Sequence, residues 1–364
     1  MRIRSLDGLR GVAAVAVVIG HLRLIVVDNY ESPLFTAPVF SQVNRELGMI
    51  GGHAVWLFFV LSGLVLTRFA SHPKFDYGSY VLSRLARLYI PVWAAVALSS
   101  VSILLIPRAA NGFGNWIDGH PDTLSINAVI EDLTLLTGVS GHLSPLWTLQ
   151  WEVLFSLLLV FYIAVLRRLP PLVGIAASIV LIAIGSTSEN AFLRYMPMFA
   201  IGVCLAFAWD RMRVIAERWG LRRRVLVPHL VAVAGVVLAL ALNSLPWLLE
   251  DLHLPAAIMP SLGMTGSMLG IALLIVLVGF NRPLIRVFES RLAQWLGVIS
   301  FSIYLVHEPV LIAAMRVGGV SAVSIGIGLA LTFVVAAVFA RFVEGPAHRY
   351  SQNLRRKTAA QVSA

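Results

Sequence analysis

Long apolar runs, separated by short polar connections, set the pattern of this chain. They fall at about residues 9–27, 48–68, 88–106, 146–166, 171–186, 192–209, 225–244, 258–280, 292–315 and 319–341. A helix needs roughly 20 residues to cross the hydrocarbon of a bilayer. Most of these runs are that long, and the fifth, 171–186, is short enough to be tilted or broken. The pattern therefore predicts an all-α polytopic integral membrane protein with about ten transmembrane helices. The first run carries no small-residue cleavage site and is too long for a signal segment, so it is expected to stay as the first span.

Charge on the connections then sets the orientation. One side receives Arg2, Arg4 and Arg10, then Arg68, Lys74, Arg84 and Arg87, then Arg167 and Arg168. The clusters from Arg211 to Arg224, from Arg282 to Arg291 and from Arg349 to Lys357 fall on that same side. The other side carries Asp28, Glu31, Glu46, Asp118, Asp122, Glu131, Asp132, Glu189, Glu250 and Asp251 with few cations. Cationic loops stay in the cytoplasm, which puts both termini there. The expected organisation is a single transmembrane domain over 1–345 and a basic cytoplasmic tail over 346–364, its end TAAQVSA disordered. The longest connection, about 107–145, lies outside and serves either to cap a site or as a plain link.

Composition removes several function classes. The chain is 59% hydrophobic and 13% charged, against about 25% charged in a soluble domain. No polar stretch is long enough to build a soluble enzyme on an anchor. A net charge of +10 follows the loops and so fits topology better than nucleic-acid binding. The single cysteine, Cys204, excludes a disulfide framework and a cysteine-based zinc site, and no set of metal ligands stands out.

Four polar clusters interrupt the apolar surroundings, and the late ninth span adds a fifth. In the first, Asp7 and Arg10 stand three apart and can pair on one helix face. His21 follows eleven positions after Arg10, roughly 16 Å along a helix and near mid-bilayer. An ionisable group at that depth marks a candidate site. A histidine bonded to a neighbouring helix is the plainer alternative, and the pattern leaves both open. The second span holds His53 near its outer start, Ser62-Gly63 where helices can approach closely, and Arg68 at its cytoplasmic end. Arg84 and Arg87 stand three apart, one turn before the third span. Two guanidiniums so placed suit either a membrane anchor or bidentate contact with phosphate. Glu152 lies roughly 9 Å down the fourth helix between Trp147 and Trp151. A carboxylate there needs a partner, for which His21, Arg23 or an incoming hydroxyl are candidates. The ninth span brings Tyr304, His307 and Glu308 into its outer half.

These stretches resemble the membrane acyltransferase-3 family, which includes polysaccharide and lipopolysaccharide O-acetyltransferases and macrolide acyltransferases. SLDGLRGVAAVAVVIGHL is similar to its opening signature of arginine and a later histidine, here Arg10 and His21. LFFVLSGLVLTR (Ser62, Arg68), RLARLYIP (Arg84, Arg87), LWTLQWEVLF (Trp147, Glu152) and FSIYLVHEPV (Ser302, Tyr304, His307) follow in the family's order along the whole chain. Trp56 stands where members often carry aspartate, and Phe155-Ser156 where they carry Phe-Tyr. The fused extracytoplasmic hydrolase-like domain of some relatives is not expected, since the chain stops soon after the tenth span.

The resemblance implies an O-acyltransferase of the EC 2.3.1 type in a bacterial cytoplasmic membrane. It would move an acyl group, most often acetyl in the family, from cytoplasmic acyl-CoA as co-substrate to a hydroxyl of a sugar, glycan or related acceptor, with no bound cofactor. His21 would act as base or acyl carrier with Glu152 orienting it, and Arg10, Arg68, Arg84 and Arg87 would hold the phosphates of the donor. Two other classes stay open on the residues alone. One is a proton-coupled secondary transporter with His21, Glu152 and His307 as its relay. The other is a lipid sensor that binds without turnover.

Overall fold

The computed structural model describes residues 3–30, 38–106, 112–136, 138–223, 226–249 and 258–362, with positions 252 and 255. Arg2, Glu31, Arg224, Glu250 and Asp251 of the charge pattern lie outside them. Every regular element among the described residues is helical. The ten expected spans correspond to α1 (Arg4–Asn29), α2 (Pro38–Ala70), α3 (Tyr77–Leu105), α4 (Leu146–Leu166), α5 (Pro171–Thr187), α6 (Ala191–Arg218), α7 (Leu226–Asn243), α8 (Met259–Phe280), α9 (Arg291–Gly318) and α10 (Ala322–Phe339). A further helix, α11 (Gly345–Val362), follows them. Among the described residues nine stretches are long and apolar enough to cross a membrane, and α5, at 17 residues, is the shorter apolar helix. The protein is a multi-pass, all-α membrane protein.

Two helix ends depart from expectation. α3 starts at Tyr77, with the Asp76 carboxylate accepting a hydrogen bond from the Ser79 amide at 2.7 Å. Arg84 and Arg87 therefore lie inside the helix instead of ahead of it. At the C-terminus, α11 continues to Val362 and packs against α3, where a disordered end was expected. The wide π-helical turn Ala340–Glu344 joins it to α10.

Contacts divide the chain into two compact units. Residues 1–13, 52–75 and 157–297 form the first; residues 14–51, 76–156 and 298–364 form the second. In the first unit, small residues let backbones meet. A Cβ on Gly8 would strike the Phe288 carbonyl, one on Gly63 the Phe199 carbonyl, and one on Gly202 the Val60 carbonyl. Phe59 and Phe199, both buried, stack with centroids 4.7 Å apart beside these contacts. In the second unit, Gly20 of α1 faces Gly51 of α2 at the closest approach of the two helices, where an added Cβ would lie 3.2 Å from the Gly51 backbone. That approach fixes α1 one position before His21.

Candidate active site

The second unit gathers most of the polar groups that the apolar pattern made conspicuous. His21 on α1 and His307 on α9 meet through Nδ1 and Nε2 at 2.8 Å. Their rings lie within 10° of parallel, with centroids 5.0 Å apart. The proton positions follow from the neighbours. Nδ1 of His307 faces the carbonyls of Ile303 and Tyr304 at 3.0 and 2.9 Å, and a carbonyl can only accept. That nitrogen therefore carries the hydrogen, so Nε2 of a neutral His307 is the acceptor and His21 must donate from Nδ1. The Nε2 lone pair of His21 is left over. Among the described residues nothing hydrogen-bonds to it, while Trp116 stacks on the ring at 5.1 Å.

A second tier sits behind the pair. Glu308, fully buried, accepts from the Ser144 amide at 2.6 Å and from the Ser144 hydroxyl. His120 Nε2 approaches the same carboxyl group at 3.2 Å, while its Nδ1 donates to the Trp116 carbonyl at 2.7 Å. With Nδ1 so committed, the contact with Glu308 needs a proton of its own, shared between ring and carboxyl. Trp116 and His120 come from the long connection, so this stretch caps the site. Its position is fixed from both sides. The Asp28 carboxylate accepts from the Trp116 amide at 2.8 Å, and Arg316 on α9 meets Asp118 at 3.3 Å and covers the Phe113 ring at 4.7 Å. Residues 107–111 and 137 of the connection lie outside the described residues.

The other candidates on this unit take supporting positions. The Tyr304 hydroxyl meets Thr148 Oγ1 at 2.7 Å and donates to the Pro145 carbonyl at 2.9 Å, holding the start of α4 to α9. Ser302 donates to Glu344 in the π-helical turn at 2.7 Å. Trp147 is half-buried in the first turn of α4. Glu152 has a different neighbour from the one expected. It forms an ion pair with Arg84, whose Nε also donates to Ser156 at 3.2 Å. The reason is geometric. Each residue lies about two turns inside its helix, and the long arginine side chain reaches across to the carboxylate. Arg23 bonds to Asn44 at 2.8 Å and takes no part. The carboxylate beside the histidine pair is Glu308, and Glu152 belongs with Arg84.

Asp7, Arg10, His53, Ser62 and Arg68 belong to the first unit. His53 Nε2 meets the Ser267 hydroxyl of α8 at 3.1 Å and sits edge-on to Trp56 at 5.2 Å. Arg68 reaches the exposed Asp210 at 3.8 Å. Arg87 is half-buried within α3 of the second unit. Sequence reasoning singled out neither Trp116, His120 nor Ser144. The only signal for them was that the long outer connection is rich in aromatic, histidine and glycine residues, GNWIDGH and GHLSP.

A family model described as an acyltransferase domain, that of the acyltransferase-3 family, matches residues 3–341. No curated protein and no solved structure matches the chain.

Proposed function

This chain belongs to the acyltransferase-3 family and is a membrane acyltransferase, and from that premise we propose that it moves an acyl group, acetyl in the simplest case, from acyl-CoA to a hydroxyl of a sugar, glycan or related acceptor. The observation that carries the reading is the lone pair on His21 Nε2, left without a hydrogen bond among the described residues and fixed by the bond of His21 to His307. A hydroxyl is a weak nucleophile at neutral pH and needs a base within hydrogen-bond reach. In direct transfer, Nε2 takes the hydroxyl proton as the oxygen bonds to the thioester carbonyl carbon. The carbon–sulfur bond then breaks, and the thiolate leaves as CoA-SH with the proton returned from Nε2. If the acyl group first rests on the protein, the same lone pair attacks the thioester carbonyl carbon and the carbon–sulfur bond breaks, leaving an acyl-imidazole and the thiolate. The hydroxyl oxygen then takes the acyl group from Nε2, the N–acyl bond breaks to regenerate the imidazole, and the hydroxyl proton ends on sulfur as CoA-SH.

His307 orients the base by holding its tautomer, the part that a third group plays in other nucleophile–base–orienter sets. Glu308 with His120 and Ser144 holds the segment of α9 that carries His307. Arg10, Arg68 and Arg87 supply guanidiniums for the phosphates of CoA, each assigned on its own chemistry. Arg84 instead fixes Glu152, so its contribution to the donor is indirect. The cytoplasmic membrane of a bacterium is the setting in which acyl-CoA and an outward acceptor meet across such a protein.

The test uses purified protein and acyl-CoA labelled in the acyl group. His21→Ala should abolish transfer to the acceptor while the helical spectrum and thermal unfolding stay those of the parent. Wild-type turnover in that variant would end the assignment. Label recovered on the protein after an acid quench, and absent from His21→Ala, would select the acyl-imidazole route.

A further inference from the structure

The first unit holds a cavity of about 200 Å³, lined by Arg4 at the head of α1, Arg68 at the end of α2, Trp209 and Arg213 on α6, and Arg222 just after it. Glu289 is the one acid on its wall, against four arginines. All four arginines come from connections that the charge pattern assigns to the cytoplasm, which explains their side of the membrane but not their convergence. A topogenic arginine has only to face water. Here three separate segments bring four guanidiniums to one partly enclosed volume. Like charges held together in this way repel unless an anion joins them.

Three observations mark the cavity as built. The Nε of Arg68 is buried and has no hydrogen-bond partner among the described residues, and the only ion pair of that side chain is to the exposed Asp210 at 3.8 Å. A donor in that state costs free energy until something accepts from it. The floor is aromatic and close-packed: Trp209 and Phe280 are buried with centroids 4.6 Å apart. Gly279 permits this, because a Cβ there would sit 2.6 Å from the Trp209 indole. The segment bearing Arg222 is also pinned. The Arg282 amide donates to the Leu221 carbonyl at 3.1 Å, and its guanidinium donates to the Arg222 carbonyl at 3.2 Å. On the opposite wall, Gln294 Nε2 donates to the Arg4 carbonyl at 2.8 Å.

We propose that this cavity is a binding site for a phosphate-bearing anion, gripped by Arg68, Arg213 and Arg222 with Arg4 at its rim. Forked guanidiniums match phosphate oxygens in pairs, and several on one group exceed what a single surface contact gives. The site shares Arg68 with the donor reading above but rests on residues which that reading does not use. The phosphate can belong to the headgroup of an anionic lipid in the cytoplasmic leaflet or to a soluble phosphate.

The experiment measures binding without acyl-CoA, so its outcome is independent of the His21→Ala turnover test. Full-length protein in neutral detergent is titrated with inorganic phosphate at constant ionic strength, using chloride as the matched control. In parallel, the protein is placed in phosphatidylcholine nanodiscs with and without phosphatidylglycerol, and retained lipid is counted by native mass spectrometry. Arg213→Gln with Arg222→Gln is the comparison variant, since both side chains are exposed and the fold does not need them. The expected result is saturable binding of one of the two probes that weakens by about tenfold or more in the variant. Phosphate binding that phosphatidylglycerol does not displace identifies a soluble ligand. Selective retention of phosphatidylglycerol, with phosphate unable to compete, identifies the lipid. Equal binding of both probes by parent and variant, or a chloride response equal to that of phosphate, overturns the proposal.

Discussion

Two histidines, one in each unit, show how the groups around a ring decide whether its tautomer is fixed. His53 and His21 both lie on motif-bearing helices, and both find one side-chain partner on a distant helix. The partner of His53 is a hydroxyl, which donates or accepts as required and so leaves the tautomer of the ring free. The partner of His21 is another imidazole whose own hydrogen is tied to two helix carbonyls. Carbonyls offer no choice. They pass a fixed polarity through His307 to His21 and leave one lone pair pointing at whatever enters. Both residues lie on long apolar helices; the polarity of the surrounding groups is what differs.

The sharpest way to break this comparison is to remove each ring in turn. His21→Ala should lower transfer by roughly a thousandfold, within the range expected for loss of a general base. Next in size is the buried ion pair. Arg84→Ala leaves the Glu152 carboxylate without its cation and should cost about 3 kcal/mol in unfolding free energy, while Arg84→Ala with Glu152→Ala should recover much of that loss. Denaturant or thermal unfolding in detergent measures both. Glu308→Gln keeps the shape of the side chain but weakens its hold on His120 and Ser144, and should lower kcat by about ten- to a hundredfold with little change in the KM for acyl-CoA. A KM change of the same size with kcat intact would show that Glu308 serves binding instead. Smallest is His53→Gln, which can still bond to Ser267. It should leave kcat within about threefold and stability within about 1 kcal/mol. A loss comparable to that of His21→Ala would erase the distinction between the two histidines.

The spans were legible because hydrophobic length is a local property, and each expected run has its helix. The start of α3 was not, because charged Arg84 and Arg87 suggested an end to the apolar segment, whereas Glu152 supplies an anion 68 residues away that draws Arg84 inward. The two histidines of the site were each conspicuous, yet their pairing joins positions 286 apart and has no local signature. Glu152 drew attention as the lone carboxylate in a span, while Glu308, next to His307, proved to be the one beside the pair. His120 carries no motif at all. It reaches Glu308 only because Asp28, Asp118 and Arg316 seat the connection that bears it against α1 and α9.

The π-helical turn Ala340–Glu344 carries a consequence for the length of the chain. Such a turn holds one residue more than the α-helix it interrupts, and this surplus allows Glu344 to meet Ser302. Deleting a single residue between 340 and 343 would let the wide turn close as an ordinary helical turn, so that α11 keeps its face toward α3. A residue added or removed in the regular part of α10 or α11 has no such outlet and turns everything beyond it by about 100°. The wide turn is therefore a place where the count can change by one at little cost to the packing that follows.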